Sequence, residues 1–205
     1  MNLAGLQPTS LIDYPGTICA VVFTQGCNLT CPFCHNPGLI PYQGPDHFPE
    51  EEFFAFLEKR KGKLDGISIT GGEPLLQPDL IPFIKRINEM GFKVKLDTNG
   101  TLPKKLKEII NSGLLDFLAM DIKSSLQNYS KAVGGIDIDV EKIKKSVELI
   151  RDFQKYEFRT TVVPGLVSEQ DIKAIGSWLE GIKNFSIQQF KNENTYASDY
   201  RELEP

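Results

Sequence analysis

No stretch of the 205 residues approaches the roughly 18 consecutive apolar residues that a membrane-spanning helix requires. The opening Met1-Asn2-Leu3-Ala4-Gly5-Leu6-Gln7 carries neither the basic residues nor the apolar core of a secretory leader, so a cytoplasmic protein is expected. Basic residues are not in surplus: 23 Lys and Arg against 27 Asp and Glu leave a net charge of −4, which gives no electrostatic footprint for nucleic acid or an anionic membrane. Internal repeats, low-complexity tracts and a Pro/Gly/Ser linker are all lacking, so one domain over residues 1–205 is the simplest organisation. Cysteine is scarce, and four residues with three packed together do not make an extracellular disulfide framework.

What is present is concentrated. Cys27-Asn28-Leu29-Thr30-Cys31-Pro32-Phe33-Cys34 places three thiols at C-x3-C-x2-C spacing. A cube of four irons and four sulfides takes four donors, usually thiolates, so three clustered cysteines leave one iron open to a substrate or cofactor. A structural zinc site is the alternative, because tetrahedral zinc takes four N or S ligands and His35 follows directly. Cys19 sits apart, in Ile18-Cys19-Ala20-Val21-Val22-Phe23, as a small buried hydrophobe.

Six short runs rich in β-branched and aromatic residues read as strands: 18–24, 66–70, 93–97, 117–121, 157–163 and 185–190. Helical spacing fills 50–61, 79–90, 104–112, 140–154 and 169–179, with Gly91 and Gly113 as stop signals. Alternation of this kind gives an α/β fold of βαβ units with a parallel sheet and outer helices. Six strands are too few for the closed eight-stranded barrel and suit an open, partial (β/α)6 barrel. Residues 1–17 then form an N-terminal extension, and 191–205 a polar tail expected to fray.

In such barrels reactive residues collect where strands end, and unusual residues lie there. The first strand runs into the cysteine loop, the second into Gly71-Gly72-Glu73-Pro74, the third into Asp97-Thr98-Asn99-Gly100, the fourth into Asp121-Ile122-Lys123, and the fifth carries Arg159. Two carboxylates on one rim, Asp97 and Asp121, are costly unless a cation lies between them.

These motifs together resemble the radical S-adenosylmethionine (SAM) superfamily, whose C-x3-C-x2-C loop binds three irons of a [4Fe-4S] cluster while SAM chelates the fourth. The resemblance implies cluster ligation by Cys27, Cys31 and Cys34, and reductive cleavage of SAM to a 5′-deoxyadenosyl radical. It implies that Gly71, Gly72, Glu73 and Pro74 receive the methionyl amino group and that Phe33 lies against the adenine, with His35 favoured as a second adenine contact.

More narrowly, Cys34-His35-Asn36, Asp97-Thr98-Asn99-Gly100 and Asp121-Ile122-Lys123 resemble motifs of the activases of glycyl-radical enzymes. In those activases such motifs contribute to a monovalent cation site, here Asp97, Thr98 and Asp121. Asn99 joins the SAM contacts, Lys123 neutralises the SAM carboxylate or binds the ribose, and Arg159 binds SAM or a substrate loop or pairs with a carboxylate. Asp13-Tyr14-Pro15-Gly16 is similar to the activases' D-G-P-G stretch and makes Asp13 a substrate-loop contact, although Tyr14 replaces the middle glycine and Thr17 departs from the usual following residue.

With Phe23-Thr24-Gln25-Gly26-Cys27 and Ile187-Gln188-Gln189-Phe190, the chain looks most like the short activating proteins of anaerobic ribonucleoside-triphosphate reductase. The implied partners are that glycyl-radical enzyme and an external electron donor, flavodoxin or ferredoxin, since Asn36 to Phe48 holds no cysteine for a second cluster. Two rival readings are a small-molecule radical SAM enzyme of the 7-carboxy-7-deazaguanine synthase kind and a non-enzymatic iron–sulfur or zinc protein.

Overall fold

In the computed structural model, which describes residues 1–44 and 48–204, the strand pattern becomes one seven-stranded sheet in the order β1 to β7. The strands are β1 (Leu3–Ser10), β2 (Cys19–Thr24), β3 (Gly66–Gly71), β4 (Lys93–Thr98), β5 (Phe117–Asp121), β6 (Tyr156–Val162) and β7 (Phe185–Gln189). The helices are α1 (Glu50–Arg60), α2 (Leu80–Glu89), α3 (Pro103–Asn111), the short α4 (Tyr129–Ala132), α5 (Val140–Arg151) and α6 (Glu169–Trp178). β2 to β7 run parallel, as the alternation of elements requires.

The sequence periodicity explains the layering. Along α2 the buried residues Leu80, Phe83, Ile84 and Ile87 recur at helical spacing, and along α5 Ile143, Ser146, Val147 and Ile150 do the same. They meet the outer face of the sheet, where Ile67, Ile69, Val94, Leu96, Leu118, Met120 and Phe158 belong to the same buried core. The opposite face alternates with it and carries the polar set Ser68, Lys95, Asp97, Asp121 and Arg159. A smaller apolar cluster of Tyr14, Cys19 and Val21, packed by Phe23 and Phe117, accompanies β2 on this inner side. α6 begins with a capping box, Ser168 and Asp171 satisfying each other's backbone N–H groups.

Two expectations about the ends of the chain are corrected. Residues 1–17 are not a simple extension, because Leu3–Ser10 pairs antiparallel to β2 as a seventh strand. Gly5 and Pro8 depress its strand signal, and a proline is tolerated because β1 is an edge. Nor does the tail fray. Phe190 and Thr195 are fully buried, and the amides of Tyr196 and Ala197 donate to the carbonyls of Cys34 and Pro32 at 3.0 and 2.9 Å. Backbone hydrogen bonding, which leaves no side-chain pattern, holds this segment down. The expectation that Asn36 to Phe48 holds no second cluster falls partly on residues 45–47, outside the described residues.

Candidate active site

The cysteine loop hangs from the end of β2 and is fixed from below and from the side. The Gly26 and Cys27 amides donate to Leu39 and Ile40 carbonyls at 2.8 and 3.0 Å, and the Gly26 carbonyl accepts the Glu73 amide at 2.8 Å. That last approach explains the paired glycines. A Cβ on Gly72 would stand 2.0 Å from the Gly26 carbonyl oxygen, and Gly71 turns at φ +118° with the Thr24 amide nitrogen 2.4 Å from where its Cβ would be. Only glycines let the end of β3 press against the loop that follows β2.

A cavity of about 240 Å³ opens over these strand ends and gathers most of the expected residues. Cys27, Cys31, Cys34, Phe33, His35, Gly71, Gly72, Asp97, Thr98, Asn99, Asp121 and Lys123 all line it. Thr161 and Gln188 line it too and were not anticipated. They are register partners on β6 and β7, and Thr161 lies two residues beyond Arg159 on the same face, which is the signal that could have found them.

Glu73 and Pro74 are both buried, and neither lines the cavity. The Glu73 carboxylate instead ties two loops together, accepting from Thr98 Oγ1 at 2.8 Å, the Asn99 amide at 2.7 Å and the Leu75 amide at 3.1 Å. Burial raises its carboxyl to about 7 against the pull of those same hydrogen bonds.

The acidic rim carries its own cation. Arg159 Nη2 lies 2.9 Å from Asp121 Oδ1 and 3.4 Å from Asp97 Oδ2, Lys123 Nζ is 3.1 Å from the other Asp121 oxygen, and Lys95 pairs with Asp97. Part of the charge balance between the two carboxylates is therefore supplied by the chain's own side chains. Burial alone would raise the Asp121 carboxyl, but the charges of Arg159 and Lys123 outweigh it and hold it well below the usual carboxylate range. Lys123 in turn reaches across the cavity, 5.9 Å from the centre of the Phe33 ring.

His35 is used partly by the protein itself. Its ring stacks on Phe190 at 6.1 Å, and its Nδ1 lies 3.1 Å from the Glu193 carbonyl, which can only accept, so Nδ1 carries the proton. Asp13 is not brought to the cavity. It lies in the turn before β2, a strand length of roughly 20 Å from the cysteines, and its carboxylate accepts from Ser10 Oγ at 2.5 Å.

The donor set fits an iron–sulfur cube better than a single ion. Thiolates on one zinc at about 2.3 Å must crowd together, whereas the thiolates of a cube bind different irons. Among the described residues no three His, Cys, Asp or Glu side chains are close enough to share one metal ion, yet all three cysteines face one cavity. Burial raises the Cys27 and Cys31 thiols, Cys31 to about 11, so metal must displace their protons on binding.

The model of the radical SAM superfamily matches residues 21–179, from β2 through α6. This chain belongs to the radical SAM superfamily. It is 36% identical over 98% of its length, and 85% of the other's, to a Methanocaldococcus jannaschii protein that carries the name of a glycyl-radical enzyme activating enzyme. It is 32% identical to the pyruvate formate-lyase-activating enzyme of Clostridium pasteurianum, over 89% of this chain and 78% of that one. Streptococcus suis SuiB bound to S-adenosylmethionine superposes with a TM-score of 0.64 at 19% identity, over 84% of this chain and 40% of that one, which shows a shared fold.

The protein is thus a radical SAM enzyme, of a family that uses a [4Fe-4S] cluster and SAM. None of its described helices is long and apolar enough to cross a membrane.

Proposed function

We propose that this radical SAM enzyme generates the glycyl radical of a partner protein, and that the partner is an anaerobic ribonucleoside-triphosphate reductase. The observation that carries the reading is the open seam of the sheet. β1 and β7 are its two ends and do not pair with each other, so the strands do not close around the cavity that the cysteines line. A polypeptide loop can enter along such a seam, whereas a small metabolite needs an enclosing pocket. The near full-length likeness to activating enzymes supports the same reading.

When bound, the cluster and SAM supply one-electron reduction that ends in abstraction of a hydrogen atom. The chain's own residues orient the reactants, since selecting one glycine hydrogen is a matter of position. Gly71 and Gly72 expose backbone to the methionyl end, Phe33 offers a flat apolar face to the adenine, and Lys123 brings positive charge to the carboxylate or ribose. Asp121 holds Lys123, and Arg159 holds Asp121. Asn99 Nδ2 donates to Asn28 Oδ1 at 3.0 Å and steadies the loop between the first two cysteines. An entering loop excludes water from the reaction.

With three of four cysteines in one motif and Cys19 buried on β2, a single cluster is proposed, reduced by an external flavodoxin or ferredoxin in the cytoplasm. A small substrate of the carboxy-deazaguanine synthase kind is less well served, because the strands leave the cavity open.

The test is anaerobic incubation of reduced, SAM-loaded protein with anaerobic ribonucleotide reductase. A glycyl-radical doublet by electron paramagnetic resonance, with 5′-deoxyadenosine formed alongside, is expected. SAM cleavage driven only by a small metabolite or by another glycyl-radical enzyme would reject this target.

A further inference from the structure

The cysteine loop is clasped twice, and the second clasp comes from the far end of the chain. The first cysteine is held by the segment that follows the loop, whose Ile40 carbonyl accepts the Cys27 amide at 3.0 Å. The third cysteine is held by the tail: the Tyr196 amide donates to the Cys34 carbonyl at 3.0 Å and the Ala197 amide to that of Pro32 at 2.9 Å. His35, next to Cys34, stacks on Phe190 and is bonded to the Glu193 carbonyl. The tail is itself fastened, with Phe190 fully buried and the Thr195 carbonyl accepting Arg201 Nη2 at 2.9 Å.

We propose that residues 190–201 are a strap that positions Cys34 as a cluster ligand and limits how readily the cluster is lost to solvent and oxidant. Loss of a cluster from a loop clasped by other segments requires local opening, whose frequency falls with each bond that must break. The bonds from Tyr196 and Ala197 and the His35 stack all lie on the path by which Cys34 would swing outward. The same contacts set the Cys34 carbonyl, and with it the backbone around one thiolate, so they bear on the electronic environment of the cluster. Tyr196 acts here through its amide, since its side chain is 49% exposed. It is a positioning residue, and the inference rests on the family's cluster without depending on the protein that is activated.

Tyr196→Pro removes the donor and Tyr196→Phe keeps it, so the pair isolates the backbone bond. Deletion of residues 194–205 removes both amide donors without inserting a proline ring. Each protein is reconstituted anaerobically, and iron content, the spectrum of the reduced cluster by electron paramagnetic resonance and the rate of visible bleaching in air are measured, with far-ultraviolet circular dichroism as the check on folding. Tyr196→Pro should bleach about tenfold faster than wild type, the factor that one net hydrogen bond supplies, with a shifted reduced-cluster spectrum. The deletion should bleach faster still, and Tyr196→Phe should match wild type. Folded Tyr196→Pro and deletion proteins with wild-type spectrum and bleaching would overturn the strap; if Tyr196→Pro does not fold, the deletion decides. Wild-type protein that takes up no iron would instead sink the cluster assignment.

Discussion

Glu73 shows how a motif can locate a residue without revealing its contacts. The motif locates it at the end of β3, but which way its side chain turns depends on Thr98 and Asn99, brought alongside by the parallel register of β3 and β4 and invisible in the local string. The carboxyl's raised value has a definite consequence for stability. A folded pKa of about 7 above an ordinary 4.5 means the folded protein holds this proton more tightly, so the contribution is full below about pH 4.5 and is lost as pH rises through 7. Urea unfolding should show stability falling across that window by on the order of 3 kcal/mol. Glu73→Gln should remove that slope. It should also lower stability at pH 5 by about 1–3 kcal/mol, because its NH2 group cannot accept from the Asn99 amide, whereas the hydroxyl oxygen of the protonated carboxyl still can. A slope that survives in Glu73→Gln would place the titrating group elsewhere.

At the scale of elements, six strands and five helices follow from periodicity because each has a long, regular face to bury. β1 does not, since an edge strand with Gly5 and Pro8 has little apolar alternation to show, and α4 is a single turn. Pairing across strands is the other illegible layer. Asp121 and Arg159 are adjacent register positions of β5 and β6, 38 residues apart in sequence, so the guanidinium that reconciles the two carboxylates emerges only once the strands are aligned. Arg159→Met should therefore leave Asp97 and Asp121 facing each other with Lys95 and Lys123 at the flanks. A loss of about 3 kcal/mol is expected, the low end for breaking a buried pair, because Asp121 keeps 34% of its side-chain surface in solvent. Weakened SAM binding should accompany it, as Lys123 is drawn toward a less balanced Asp121. Unchanged urea midpoints and SAM affinity would show the three strand ends to be independent of Arg159.

At the scale of the whole molecule, the candidate site lies where distant parts of the chain converge. The cysteine loop touches β3 through Gly26 and Glu73, the 36–44 segment through Leu39 and Ile40, and the tail through Tyr196 and Ala197, so a cluster bound to that loop is bound to an assembly that only the folded chain provides. A ligand that binds the folded state at about 100 times its dissociation constant adds roughly 2.7 kcal/mol, and for a chain of this size each kcal/mol moves the melting temperature by roughly 2–4 °C. Anaerobic calorimetry should accordingly place the reconstituted protein roughly 5–10 °C above the metal-free form, at the lower end because three close cysteines retain some iron when unfolded. Cys27→Ala should abolish the shift together with the visible absorption. Cys19→Ala should keep both, since Cys19 is packed with Tyr14 and Val21 on the inner side of β2, apart from the loop. An equal melting temperature with and without iron would mean that the loop accepts its cluster without engaging the three segments around it, and a Cys19→Ala protein that loses iron would overturn the ligand assignment itself.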